Sequence, residues 1–162
     1  MRDQPAQARW VIWLSLLVAL ALTIWPLPDT VAPFRPEWSA LVLIYWIMAL
    51  PHRVNVGTAW ITGLLLDVLT GSLLGQHALA LAIMSLVVAG SHLRIRVFPV
   101  WQQAMTVMAL LGLYELMLIL VDGVTGNLYD LEWRWAPVLA GMLLWPWIMF
   151  LLRALRRQFG VS

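Results

Sequence analysis

Long apolar runs broken by short connections are the feature that most constrains this chain. Six such runs occupy nearly all of its 162 residues. Because 62% of the residues are hydrophobic and only 11% are charged, the chain has too little polar surface to coat a soluble globule. The pattern predicts an all-α polytopic membrane protein, with residues 1–162 forming a single integral membrane domain and no soluble catalytic domain.

The runs predict six transmembrane helices. The first is expected to be a retained helix and not a cleaved signal peptide, because its apolar stretch continues to Trp25. The second run is the weakest, since ~13 residues rise only ~20 Å against a hydrocarbon core of ~30 Å. It is predicted to be short and tilted or, alternatively, half of a re-entrant hairpin, which would leave four spans. The predicted spans are residues 10–25, 38–50, 54–74, 77–91, 100–121 and 135–152.

The arginines predict the orientation of these spans. With a cytoplasmic N-terminus and six spans, eight arginines fall inside and two outside, in agreement with the positive-inside rule. Both termini are therefore predicted to be cytoplasmic. Membrane topology accounts for the positions of the arginines at the ends of the apolar runs, so no nucleic-acid partner is expected. The predicted inner arginines are Arg2, Arg9, Arg53, Arg94, Arg96, Arg153, Arg156 and Arg157, and the outer ones are Arg35 and Arg134. The acids predicted outside are Asp29, Glu37, Asp122, Asp130 and Glu132, and the acid predicted inside is Asp3.

An acid inside the third run marks the candidate site. Small residues recur at every fourth position around Asp67, namely Ala59, Gly63, Gly71 and Gly75. An ionisable group near the bilayer centre costs ~2.5–3.5 kcal/mol on insertion scales, so it normally faces protein or trapped water. The spacing predicts that Gly63, Asp67 and Gly71 share one helix face, where glycines form a groove for helix packing or partner contact.

A second acid, Glu115, lies in the fifth run, at a similar predicted depth in the outer half of the membrane. No basic residue is predicted within the spans. Each acid is therefore expected to be protonated, to be hydrogen-bonded to Ser, Thr or backbone, or to be reached from outside by Arg35 or Arg134. Asp67 and Glu115 are thus candidate contacts for a partner or ligand, and the alternative is a protonated carboxyl that joins two helices.

The residues do not predict an enzyme, a cofactor or a metal site. An aspartyl protease is disfavoured because Asp67 follows three leucines and the second acid is a Glu. Ser72 and His77 lie only five residues apart across a turn, which is too local for a serine protease. No Glu or Cys stands at ligand spacing from a histidine. A membrane scaffold that docks partner helices fits best, and a small-molecule or lipid-precursor binding or transport subunit is the alternative.

Several segments carry a resemblance to a known family. They are RWVIWLS at residues 9–15, ALPHRVNVGT at 49–58, Leu66-Asp67 with Gly71-Ser72 and Leu74-Gly75, WQQA at 101–104 and LWPWI at 144–148. Together they resemble the bacterial rod shape-determining MreD family, essentially from end to end. The block at 49–58 is the most specific of these segments.

This resemblance implies a non-enzymatic scaffold of the bacterial inner membrane within the machinery of cell elongation and peptidoglycan synthesis. The partners it implies are the single-span protein MreC, actin-like MreB, a SEDS glycosyltransferase and a penicillin-binding transpeptidase, with membrane lipids around them. It also implies help in regulating the peptidoglycan synthase. The implied fold is similar to that of the six-helix substrate-binding subunits of energy-coupling-factor transporters. The family supplies no agreed site residues.

Overall fold

The computed structural model describes residues 9–127 and 131–161, in which the regular elements are six α-helices and one short 3-10 turn. Arg2, Asp3 and Asp130, which entered the predicted charge distribution, lie outside the described residues. The three longest helices, α4 to α6, are long and apolar enough to cross a membrane, whereas α1 and α3 are shorter apolar helices. The elements are α1 Arg9–Ile24, the 3-10 turn Ala32–Phe34, α2 Trp38–Ala49, α3 Val56–Thr70, α4 Gln76–Val97, α5 Val100–Thr125 and α6 Ala136–Gln158.

The short second helix is the centre of the bundle. All residues of α2 from Ser39 to Ala49 are buried, and the helix packs against α1, α4, α5 and α6. A helix that is hydrophobic on every side requires this kind of burial. Its 12 residues rise only ~18 Å, so the run that looked weakest as a span forms the core. The indole of Trp46 donates to Ser15 Oγ over 2.8 Å and ties α2 to α1.

The end of the third helix differs from the prediction and changes the role of two glycines. The predicted span reached residue 74, but α3 ends at Thr70 because Gly71 adopts a left-handed conformation, with φ of 68°. Gly75, with φ of 98°, immediately precedes α4. The prediction that Gly71 shares a helix face with Gly63 and Asp67 is therefore wrong, since Gly71 and Gly75 bound the turn between α3 and α4.

The fourth helix is longer than predicted. The predicted span ended at residue 91, but α4 continues to Val97 and carries Arg94 and Arg96 in its last turn. Positive side chains are favourable at the negative end of the helix dipole, so these arginines stabilise the last turn of α4. The polar segments that bound α3 and α4 therefore lie at different residues from those predicted, but the order of the helices is as predicted.

The bundle has two ends of opposite charge. At the basic end, Arg96 donates to the carbonyl of Ala49 over 2.9 Å, and the rings of Trp10 and Phe159 meet edge to face. The remaining arginines of this end are Arg9, Arg53, Arg94, Arg153, Arg156 and Arg157. At the acidic end, the start of α4 meets the last turns of α5 through a hydrogen bond of 2.7 Å from Gln76 to Asp122. The charges thus separate along the helix axes, as the predicted arginine distribution requires.

Candidate functional site

The carboxylate of Asp67 lies in the last turn of α3 and caps the start of α4. Its side chain is fully buried. Asp67 Oδ2 accepts from the backbone N–H of Gly75 at 2.8 Å, and Oδ1 accepts from that of His77 at 2.9 Å. The first N–H groups of a helix have no partner within the helix, and an anion there is also stabilised by the helix dipole. The buried acid is therefore satisfied by its own chain.

Two side chains complete this cap, and their geometry excludes a catalytic triad among them. Ser72 Oγ donates to Asp67 Oδ1 over 2.8 Å, and His77 Nδ1 lies 2.7 Å from the same oxygen. Ser72 Oγ also lies 3.2 Å from that same ring nitrogen. In a serine triad the Ser hydroxyl and the carboxylate contact different ring nitrogens of the histidine, whereas both contact Nδ1 here. Ser72 and His77 were set aside as a protease pair because they lie only five residues apart. That short separation lets both side chains reach the carboxylate of Asp67 and complete the cap.

Gly63 lets α4 approach α3 so closely that the predicted groove is filled. A Cβ atom at Gly63 would lie 2.3 Å from the Cα of Ala78, which is backbone and cannot rotate away. Small residues permit such backbone approach between membrane helices. The helix that packs beside Asp67 is thus α4 of the same chain. A docking surface for another protein must be sought on a different face.

Glu115 lies in a charge network at the acidic end. Arg134 Nε donates to Glu115 Oε1 over 2.7 Å, and its Nη2 donates to Asp122 Oδ2 over 2.5 Å. Because Gln76 also donates to Asp122, the network joins α4, α5 and the connection that precedes α6. Arg134 was one of the two arginines expected to reach an acid from outside. The other, Arg35, donates instead to the carbonyls of Thr23 and Trp25 at the end of α1.

These groups border an open cleft of about 490 Å³ at the acidic end. Glu37 contributes a third carboxylate to it, beside Glu115 and Asp122. Burial and, to a smaller extent, the nearby negative charge of Glu115 raise the pKa of Glu37 to about 7, against the opposing effects of a hydrogen bond with Tyr114 and the positive charge of Arg35. Within the described residues, no three His, Asp or Glu side chains converge closely enough to hold a metal ion.

A lateral apolar groove of about 370 Å³ runs between α1 and α6, with α2 as its floor. Leu14 and Val18 form one wall, Leu151 and Leu155 form the other, and Val42 contributes to the floor. Three of the wall side chains are at least half exposed, with 50% for Leu14, 50% for Val18 and 63% for Leu151. Sequence reasoning missed this groove because lipid-facing and protein-facing positions of a membrane helix are equally apolar.

Comparison with known proteins identifies the family. The family model described as rod shape-determining protein MreD matches residues 4–155. The chain is also 32% identical over 160 residues to the rod shape-determining protein MreD of Haemophilus influenzae, an alignment that covers 94% of this chain and 97% of that protein. The chain belongs to the MreD family. This confirms the resemblance seen in the sequence and makes the molecule a rod shape-determining membrane protein.

No solved structure gives a significant match to this MreD chain. The likeness to substrate-binding subunits of energy-coupling-factor transporters therefore stays a prediction. The structure does explain three of the segments that carry the MreD resemblance. Residues 49–58 join α2 to α3, where Asn55 Oδ1 accepts from the Thr58 N–H at 3.3 Å and caps α3. The segment around Asp67 caps α4, and Gln103 in WQQA donates to the carbonyl of Ile95 over 3.0 Å at the end of α4. These segments set helix junctions.

Proposed function

We propose that this MreD protein is a non-enzymatic scaffold of the bacterial inner membrane that holds the single transmembrane helix of MreC in the groove between α1 and α6. All six helices would lie in the membrane, with the basic end and both termini on the cytoplasmic side. By holding MreC, the scaffold would connect it to MreB and to the SEDS glycosyltransferase and penicillin-binding transpeptidase, and so help to regulate peptidoglycan synthesis.

The lateral groove is the observation that supports this proposal. Its apolar walls run along α1 from Trp10 to Leu22, a rise of ~18 Å. Trp10 lies at the basic end of the groove and Trp38 at the acidic end. Because tryptophans favour the membrane interfaces, a single-span helix in the groove would contact these walls over ~18 Å of the ~30 Å hydrocarbon core that it crosses. Half-exposed Leu and Val side chains on both walls would interdigitate with such a helix.

The positive-inside rule supports the proposed orientation. Seven described arginines lie at the basic end, and Arg35 and Arg134 lie at the acidic end, where each is engaged by its own chain. Cytoplasmic segments of membrane proteins carry the excess of Arg and Lys. The acidic cleft with Glu37 and Glu115 would then face the periplasm.

Filling the groove tests the proposal. The variant Val18→Trp with Leu151→Trp narrows it from both walls, and we expect co-purification with full-length MreC from detergent-solubilised membranes to fall to background. The matched control is Val68→Trp with Leu86→Trp, which adds the same bulk at exposed apolar positions of α3 and α4. The control should retain MreC. Wild-type recovery of MreC with the groove variant would overturn the proposed docking face.

A further inference from the structure

A second, polar cleft opens at the basic end, where α2, α4 and α6 end and α5 begins. It has a volume of about 140 Å³. Arg96 of α4 and Arg153 and Arg156 of α6 line it, together with Tyr45 of α2 and Gln103 of α5. A single water needs only ~10–15 Å³ of such space, so the cleft has room for a larger group.

The charge of this cleft is not neutralised by any carboxylate in the described part of the chain. The ion pairs found among the described residues involve His77 and Arg134, both at the acidic end. Of the three cleft arginines, Arg96 donates to the carbonyl of Ala49. Asp3, the one acid predicted on this side, lies outside the described residues. Three guanidinium groups around one cleft favour an anion with several acceptor oxygens, since guanidinium is a fork of donors that matches carboxylate and phosphate.

Gln103 adds an independent sign that the cleft receives a ligand. Gln103 is 6% exposed as a residue and lines the cleft. Its Nε2 donates to the carbonyl of Ile95, but within the described residues its Oε1 has no hydrogen-bond partner. A buried acceptor without a partner costs ~1–3 kcal/mol, so such atoms usually have a donor. A hydroxyl or amine of a molecule bound in the cleft would supply the missing donor.

We infer that this cleft binds the headgroup of an anionic phospholipid, with the phosphate on Arg96, Arg153 and Arg156 and a headgroup hydroxyl donating to Gln103 Oε1. This inference goes beyond the scaffold role, because it assigns a lipid site at the end of the bundle opposite the acidic cleft and away from the apolar groove. A lipid is favoured over a soluble phosphate because, in the orientation proposed above, the cleft at these helix ends would lie beside the membrane surface. Basic pockets between membrane helices on the cytoplasmic side bind such headgroups.

Binding of phosphatidylglycerol to the purified full-length protein tests the phosphate contact, measured by native mass spectrometry against neutral phosphatidylcholine. We expect the wild type to prefer phosphatidylglycerol by at least about tenfold in apparent Kd. The double variant Arg153→Gln with Arg156→Gln should lose this preference. Its matched control is Arg94→Gln with Arg157→Gln, which removes two charges from the same helix ends but outside the cleft.

A preference that survives Arg153→Gln with Arg156→Gln would overturn the site. Equal losses in the two double variants would also overturn it, because they would mean a general attraction to positive charge. Soluble glycerol 3-phosphate that competes as strongly as the lipid would contradict a lipid headgroup as the occupant.

The hydroxyl contact is tested with phosphatidylmethanol, which carries the same charge as phosphatidylglycerol but no headgroup hydroxyl. The wild type should bind phosphatidylmethanol several-fold more weakly than phosphatidylglycerol, as expected for one lost hydrogen bond to a buried acceptor. Gln103→Met should bind the two lipids equally. A wild type that does not distinguish them would remove Gln103 from the site. If Gln103→Met fails to fold, the wild-type comparison of the two lipids still decides this point.

Discussion

At the scale of single residues, the spacing around Asp67 predicted its burial but not its hydrogen-bond partners. The sequence predicted that a buried acid among glycines must face protein, and the acid does so. Its partners were not predictable from the helical period, because they belong to a turn that begins only where Gly71 leaves the helix. A residue that looked like a contact for another molecule serves here as the cap of α4.

Replacing Asp67 tests this capping role. Asp67→Ala leaves the N–H groups of Gly75 and His77 without a buried acceptor, and we expect the free energy of unfolding to fall by about 2–3 kcal/mol. The measurement is the thermal melting temperature of the protein in detergent. Ser72→Ala removes only one donor to the same carboxylate and should have a smaller effect. A melting temperature of Asp67→Ala equal to that of the wild type would contradict the cap.

Glu37 should make stability depend on pH. Its pKa in the folded protein is about 7, compared with an ordinary value of 4.5. Folding therefore takes up a proton between these values, and the free energy of unfolding falls as the pH rises through them. We expect a lower melting temperature at pH 8 than at pH 5.5, and Glu37→Gln should reduce this difference. Glu132→Gln, an exposed acid at the same end, should leave the pH dependence as in the wild type. An undiminished pH dependence in Glu37→Gln would assign the effect to another group.

At the scale of helices, the contact between α3 and α4 depends on one glycine. Gly63→Ala places a methyl group against the backbone of Ala78, so the two helices must separate. We expect a loss of about 1–3 kcal/mol of unfolding free energy, the usual cost of overpacking. Gly90→Ala is the matched control, because a Cβ there meets open space within α4, and it should be neutral or slightly stabilising. Equal melting temperatures for the two variants would contradict the close approach.

The glycines of the neighbouring turn act differently from Gly63. The spacing predicted that Gly71 and Gly75 also permit packing, but a Cβ at either position meets nothing within 4 Å. Their requirement is a positive φ, which L-residues rarely adopt. A pattern of small residues at every fourth position cannot separate these two roles, since both demand glycine. Only the position of the helix end decides between them.

At the scale of the whole molecule, composition and charge predicted more than the helical period did. The all-α class and the separation of arginines toward one end follow from the apolar runs and their flanking charges. The central position of α2 was not predictable, because a short apolar run has the same sequence pattern in a re-entrant hairpin and in a protein core. The groove between α1 and α6 was hidden for a related reason, since Leu14 and Leu151 face it with side chains typical of lipid contact.

Cysteine cross-linking to MreC tests the proposed docking face most directly, and the chain itself contains no cysteine. Single cysteines at position 18 of α1 or 151 of α6 would be paired with cysteines along the transmembrane helix of MreC and oxidised in native membranes. We expect disulfides from both positions, at MreC residues that recur with a helical period. Cysteines at positions 68 and 86, on the exposed faces of α3 and α4, should give none. Disulfides from positions 68 or 86 with none from 18 and 151 would contradict docking of MreC between α1 and α6.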